Sequence, residues 1–178
     1  MSSPAELEVL VIGIGNLLRR DDAVGRIIAQ RLRERAIPGL RVLEQDGETT
    51  ELLEAWAGAD TVFVIDAISS GARPGTIRRI DAVRLNLRRR IFRGSTHSFG
   101  LSEAVELART LHRLPRRLIV YGIEGKFFGP GAEVSVEVTK AAAQLASLII
   151  AELAPNRAIS RNHRAPKEHA GTQKAGVP

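Results

Sequence analysis

The sequence predicts a single α/β domain, a mostly parallel twisted sheet of about five strands with helices on both faces. Two observations carry this. Three short, uninterrupted runs rich in Val and Ile, Val9–Ile14, Thr61–Ile65 and Leu118–Ile123, read as strands buried on both faces. Segments with helical apolar spacing fall between them, and strands alternating with helices make a parallel sheet with right-handed crossovers. A third observation bounds the answer: 178 residues, 44% of them hydrophobic, are one ordinary domain with enough apolar matter for a core.

The elements follow in order. After the first strand, Asp21–Arg35 places Val24, Ile27, Ile28 and Leu32 on one helical face. Leu40–Glu44 is a weaker strand, and Thr50–Ala57 a short helix after it. Beyond the Thr61–Ile65 strand, Pro74-Gly75 signals a turn into a second weaker strand, Thr76–Ile80. Leu101–His112 aligns Leu101, Ala104, Val105, Ala108 and Leu111, and Glu137–Leu153 aligns Val138, Ala141, Ala142, Leu145 and Ile149. The domain is expected to occupy residues 1–154. Residues 155–178 show no apolar periodicity and are expected to form a basic, disordered tail.

Composition excludes several chemistries. There is no cysteine, so disulfides, thiolate nucleophiles and thiolate-held metals are ruled out. Any metal must be held by oxygen and imidazole. No apolar run approaches membrane-spanning length, and Met1–Glu8 shows neither a basic nor an apolar signal region, so the expected setting is cytoplasmic with no membrane insertion. The net charge of +6 suggests nucleic acid at first sight. Yet residues 155–178 carry five cations against one anion, a net of +4, leaving only +2 on the rest. The Arg84–Arg93 stretch holds five arginines but a single aromatic, Phe92, so no base-stacking surface is indicated and no nucleic-acid partner is expected.

In a sheet of this kind ligands bind beyond the carboxyl ends of the strands. The first strand runs into Gly13-Ile14-Gly15-Asn16 and then Asp21-Asp22; the second ends at Asp46-Gly47; the third ends at Asp66; and a Ser95-Thr96-His97-Ser98 loop precedes the Leu101 helix. Each has an ordinary reading beside a functional one. The glycines permit a tight turn, and the dinucleotide fingerprint fails because Leu18 stands where its third glycine belongs. Asp21 suits a helix N-cap and Asp22 a first-turn charge at the positive end of the helix dipole, or Asp22 is functional. Asp66, among apolar residues, should be buried, which favours a paired or cation-bound carboxylate. His97 is a surface histidine or a ligand. Two carboxylates and an imidazole suit Ni, Zn, Fe or Mn, and three protein ligands leave a position open for water or substrate.

The residues from Gly13 to Gly25, Asp46-Gly47 with Thr49, Asp66-Ala67-Ile68, the stretch from Ser95 to Leu101, and Gly122-Ile123-Glu124-Gly125 with the Gly129-Pro130-Gly131 turn resemble, in order, the motifs of the hydrogenase maturation endopeptidases. The resemblance runs from about Val9 to Leu153. It implies an endopeptidase that removes the C-terminal extension of a nickel-loaded [NiFe] hydrogenase large-subunit precursor. It assigns Asp22, Asp66 and His97 as nickel contacts and as the catalytic set, the nickel being brought by the precursor, with another divalent metal an option for the isolated protein. Asp46 is then a candidate for orienting the peptide or the attacking water. Some family members carry Glu where this chain has Asp22, a difference of one methylene, and many carry Gly where it has Ala23. Three alternatives stand beside this reading: a peptidyl-tRNA hydrolase-like enzyme, which would need a histidine soon after the first motif although none precedes His97; a non-catalytic metal-binding or metallochaperone module; and a binding domain whose acids only cap helices.

Overall fold

The computed structural model describes residues 9–85 and 96–161, without the side chains of 96–99 and 154–161. The elements are β1 (Val9–Ile14), α1 (Val24–Glu34), β2 (Leu40–Gln45), α2 (Thr49–Ala55), β3 (Thr61–Ile68), β4 (Ile77–Asp81), α3 (Thr96–Thr110), β5 (Arg117–Glu124) and α4 (Val136–Arg161), with a 3-10 turn over Arg20–Ala23. The five strands form one sheet in the order β2-β1-β3-β5-β4. β1 pairs in parallel with β2 and β3, and β3 with β5. Only the edge strand β4 runs antiparallel, against β5.

Two apolar layers enclose the sheet. On one face Leu10, Ile12, Val62, Val64, Leu118 and Val120 pack against Leu52 of α2 and Leu101, Ala104 and Val105 of α3. On the other, Val11, Phe63, Ile65 and Ile119 pack against Ile28 and Leu32 of α1 and Val138, Leu145 and Ile149 of α4. The alternation of strand residues between the layers is the period of a β-strand. Continuous apolar runs are therefore required in the central strands, because both faces are covered. The predicted α/β architecture is what the chain adopts.

Chain order along the sheet reverses at β1, whose following strand lies on one side and whose next-but-one strand, β3, on the other. The cleft beyond the carboxyl ends of β1 and β3 is thus the topological switch point, where ligands of such sheets bind. Helix α1 starts unusually close to it. A Cβ on Gly25 would stand 2.2 Å from the Ile14 carbonyl oxygen and 2.3 Å from that of Ile65, and one on Gly13 would meet the Gly25 carbonyl oxygen at 2.2 Å. Glycine at both positions lets the helix sit directly on the two strand ends.

Several expected boundaries shift. The first helix was expected from Asp21, but Arg20–Ala23 is a 3-10 turn and α1 begins at Val24. β3 continues to Ile68, so Asp66 lies inside the strand, paired with Gly122 of β5. α3 starts at Thr96, so His97 belongs to its first turn and not to a preceding loop. α4 runs to Arg161, past the expected end at Leu153, so the first residues of the stretch expected as a tail are helical. Most of the Arg84–Arg93 stretch and residues 162–178 lie outside the described residues.

Candidate functional site

The turn after β1 is folded by its own side chains. The Asn16 carboxamide oxygen accepts from Leu18 N–H at 2.9 Å, an Asx-type turn. Asn16 N–H donates to Asp22 Oδ2 at 3.1 Å, and Asp22 N–H donates to the Arg19 carbonyl at 3.1 Å. These bonds fold residues 16–22 back on themselves and pack the 3-10 turn against β3. Asp22 is thereby buried, 2% exposed, at the switch point.

Asp66 is fully buried. It has the strand parity of Val62 and Val64, so it belongs to the face covered by α2 and α3. α3 reaches that edge because Gly100 lies against the loop after β2: a Cβ there would stand 2.2 Å from the Gly47 carbonyl oxygen. Thr49 Oγ1 fixes the approach by donating to the Gly100 carbonyl at 3.2 Å. The first turn of α3, with His97, therefore lies on the same side of the sheet as Asp66, near the Asp46-Gly47 loop. The His97 side chain is outside the described residues.

Asp46 differs from the other candidates. Its side chain is 76% exposed and meets Arg26 Nη1 at 3.3 Å. The same arginine reaches Glu44 Oε2 at 3.3 Å; Gln30 also donates to Oε2, and Arg33 donates to Oε1. Burial on its own would raise the Glu44 pKa, but the hydrogen bonds from Arg33, Gln30 and Arg26 outweigh it and hold the carboxyl below its ordinary value. Asp46 sits at the outer rim of the edge, tethered to α1.

Sequence reasoning missed two buried acids. Asp21, expected as an N-cap, caps no helix. Its carboxylate accepts from the N–H groups of Lys126 (2.7 Å), Phe127 (3.0 Å) and Ser135 (2.7 Å) and from the Ser135 hydroxyl (3.0 Å). It staples the turn after β1 to the loop between β5 and α4. Glu124, at the end of β5, accepts from Ser70 N–H, Ser70 Oγ and Gly71 N–H at 2.7–2.9 Å, clasping the loop after β3. The Asp21-Asp22 doublet ahead of an apolar helix was the available signal for the first. Nothing in the sequence marks Ser135 or Ser70 as its partners.

The carboxyl edge of the sheet thus gathers Asp22, Asp66 and the backbone of His97, with Asp46 at the rim. Two buried carboxylates in one region are costly unless protons, hydrogen bonds or a cation share their charge. Hard oxygens plus an imidazole suit a borderline first-row metal. Among the described residues, no three His, Asp or Glu side chains form a metal-holding group.

This arrangement defines the class: a doubly wound α/β protein with an acidic working edge at its switch point. Its relatives give the family. A profile of the hydrogenase maturation protease family matches residues 27–152, and the chain belongs to that family. The match takes in Asp46, Asp66 and His97, while Asp22 lies just upstream of it. The hydrogenase 2 maturation protease of Escherichia coli (strain K12) is 34% identical over 122 residues, 66% of this chain and 73% of that protein. The hydrogenase expression/formation protein HupD of Thiocapsa roseopersicina is 31% identical over 119 residues, 66% of this chain; the chain spans only 54% of that relative's length. The structure of the hydrogenase maturating endopeptidase HybD from E. coli shares the fold, with a TM-score of 0.70 over 83% of this chain and 93% of that one at 24% identity.

Proposed function

We propose that this chain is the endopeptidase that removes the C-terminal extension of a nickel-loaded [NiFe] hydrogenase large-subunit precursor, acting in the cytoplasm. The observation that carries the reading is the burial of Asp22 and Asp66 at the switch point of a sheet whose family consists of hydrogenase maturation proteases. Nickel belongs to the substrate. Asp22, Asp66 and His97 bind it there and so set the extension beside the carboxylates. A carboxylate takes a proton from a water as that water attacks the scissile carbonyl; the C–N bond breaks and the proton passes to the leaving amine. Asp46 at the rim orients the peptide or the water, its position fixed by Arg26. No covalent nucleophile is required, in keeping with a chain that has no cysteine.

The test is intact-mass analysis of a nickel-loaded precursor incubated with the wild type, Asp66→Asn or His97→Ala. Loss of the extension with the wild type alone supports both reaction and site. Full cleavage by both variants would remove these residues from the site. Metal binding by the wild type without cleavage of any precursor would favour a non-catalytic metal-binding module.

A further inference from the structure

Beside the buried carboxylates two loops are bound together and turn their apolar side chains outward. Residues 17–20 follow β1 and residues 126–131 follow β5. They are joined by an isolated parallel bridge between Arg19 and Gly131, by Arg20 N–H to the Gly131 carbonyl (2.8 Å) and by Gly131 N–H to the Leu18 carbonyl (2.9 Å). Arg19 Nε donates to the Phe128 carbonyl and Arg20 Nε to the Pro130 carbonyl. Arg20 is held at φ 52°, a left-handed conformation that costs a non-glycine residue energy and persists only when the surroundings over-determine it. Asp21 anchors the same two loops from below.

This rigid frame exposes Leu18 (73%), Phe127 (48%) and Leu17 (38%). Arg20 Cζ and Lys126 Nζ lie 5.9 and 5.4 Å from the centre of the Phe127 ring, fixing it between two cations. The loops carry Arg19, Arg20 and Lys126; Lys126 is paired with Glu137 of α4 at 3.1 Å, while Asp21 and Asp22 beside the arginines are buried. Among the described residues, the side chain of each of these arginines hydrogen-bonds the fold through its Nε. An exposed phenylalanine framed by arginine matches the residue types enriched at interfaces, and the two leucines beside it add apolar area.

Resting on the protease reading above, we propose that this pair of loops is the docking platform for the C-terminal extension of the precursor: an apolar side chain of the extension packs on Leu18, Leu17 and Phe127, and a carboxylate of the same segment meets Arg19 and Arg20. Three apolar side chains on two short loops suit a peptide segment better than a globular face, which needs roughly 800 Å² on each partner. The platform also begins at Leu17, shortly before Asp22 in the chain, so a segment lying across it leads directly to the buried carboxylates. Its backbone groups are largely spent on joining the loops, so recognition falls to the side chains.

The experiment measures kcat and KM for nickel-loaded precursor with the wild type, Leu18→Ser, Phe127→Ser and Arg19→Glu, and binding of a synthetic peptide of the extension to the same proteins. Leu18 and Phe127 are exposed, so both serine variants should fold. The expected result is a KM raised by roughly tenfold in each variant, as for loss of one hot-spot side chain, with kcat within about twofold and peptide binding weakened in parallel. Added salt should raise the wild-type KM and have less effect on Arg19→Glu. Unchanged KM in all three variants, while the wild type cleaves normally, overturns the platform and leaves the protease reading standing. A lower kcat at unchanged KM also overturns it, as does loss of affinity for the truncated body of the precursor in place of the peptide. Failure of the wild type to cleave any precursor would count against the protease reading itself.

Discussion

Asp21 accepts four hydrogen bonds from the loop between β5 and α4, while Asp22, one residue on, accepts from Asn16 N–H and faces the switch point. The doublet is legible in the sequence, but the division of labour is not, because it depends on donors more than 100 residues away. Replacing Asp21 by alanine strands three backbone N–H groups, and charged hydrogen bonds count for more than neutral ones. Asp21→Ala is expected to destabilise the fold by about 3 kcal/mol or more in denaturant titration, with Asp21→Asn costing less. Asp66→Asn, nearly isosteric, should leave stability close to that of the wild type or higher and abolish cleavage. Cleavage at the wild-type rate would show that Asp66 is only a buried structural acid. Glu44 supplies a pH test. Its folded pKa lies below the ordinary 4.5, so its contribution is present above that value and is lost as pH falls through the folded pKa. The stability gap between wild type and Glu44→Gln should therefore be widest near neutrality and shrink as pH falls through the lowered pKa; a gap independent of pH would contradict the assignment.

The elements themselves were the most readable level. β1 falls on the predicted residues Val9–Ile14, because its five aliphatic residues, with Gly13, are buried by pointing alternately at two helix-covered faces. Boundaries were less readable wherever tertiary contact decides them. The Ser95–Gly100 stretch looks like a loop, being polar and ending in glycine, yet α3 begins at Thr96. Gly100 is there for its lack of a side chain, since anything larger would strike the Gly47 carbonyl. In the same way Gly25 reads as a poor helix residue but is what seats α1 on β1 and β3. Gly25→Ala is expected to lift α1 from the strand ends, destabilising the protein by roughly 2–3 kcal/mol and impairing cleavage through displacement of Asp22. Thermal unfolding and the precursor assay together check this, and a variant with unchanged stability and activity would show that the helix start is looser than the geometry indicates.

Across the whole molecule, the sheet order puts Asp22 and Asp66 at the carboxyl edge, where doubly wound folds bind ligands, and this is the proposed site. That edge was legible because Asp22 and Asp46 follow strands and Asp66 lies in the last residues of β3. Asp46 was harder to place: its position after β2 is correct, but its exposure and its pairing with Arg26 could not be read from spacing. In the proposed function the substrate carries the metal, and two buried carboxylates and a histidine would read whether the precursor is ready to be cut. The most direct test is to present the wild-type protein with the same precursor in nickel-loaded and nickel-free form and follow the C-terminal extension by intact mass. The expected result is release of the extension from the loaded precursor alone; equal release from both would contradict the proposed function.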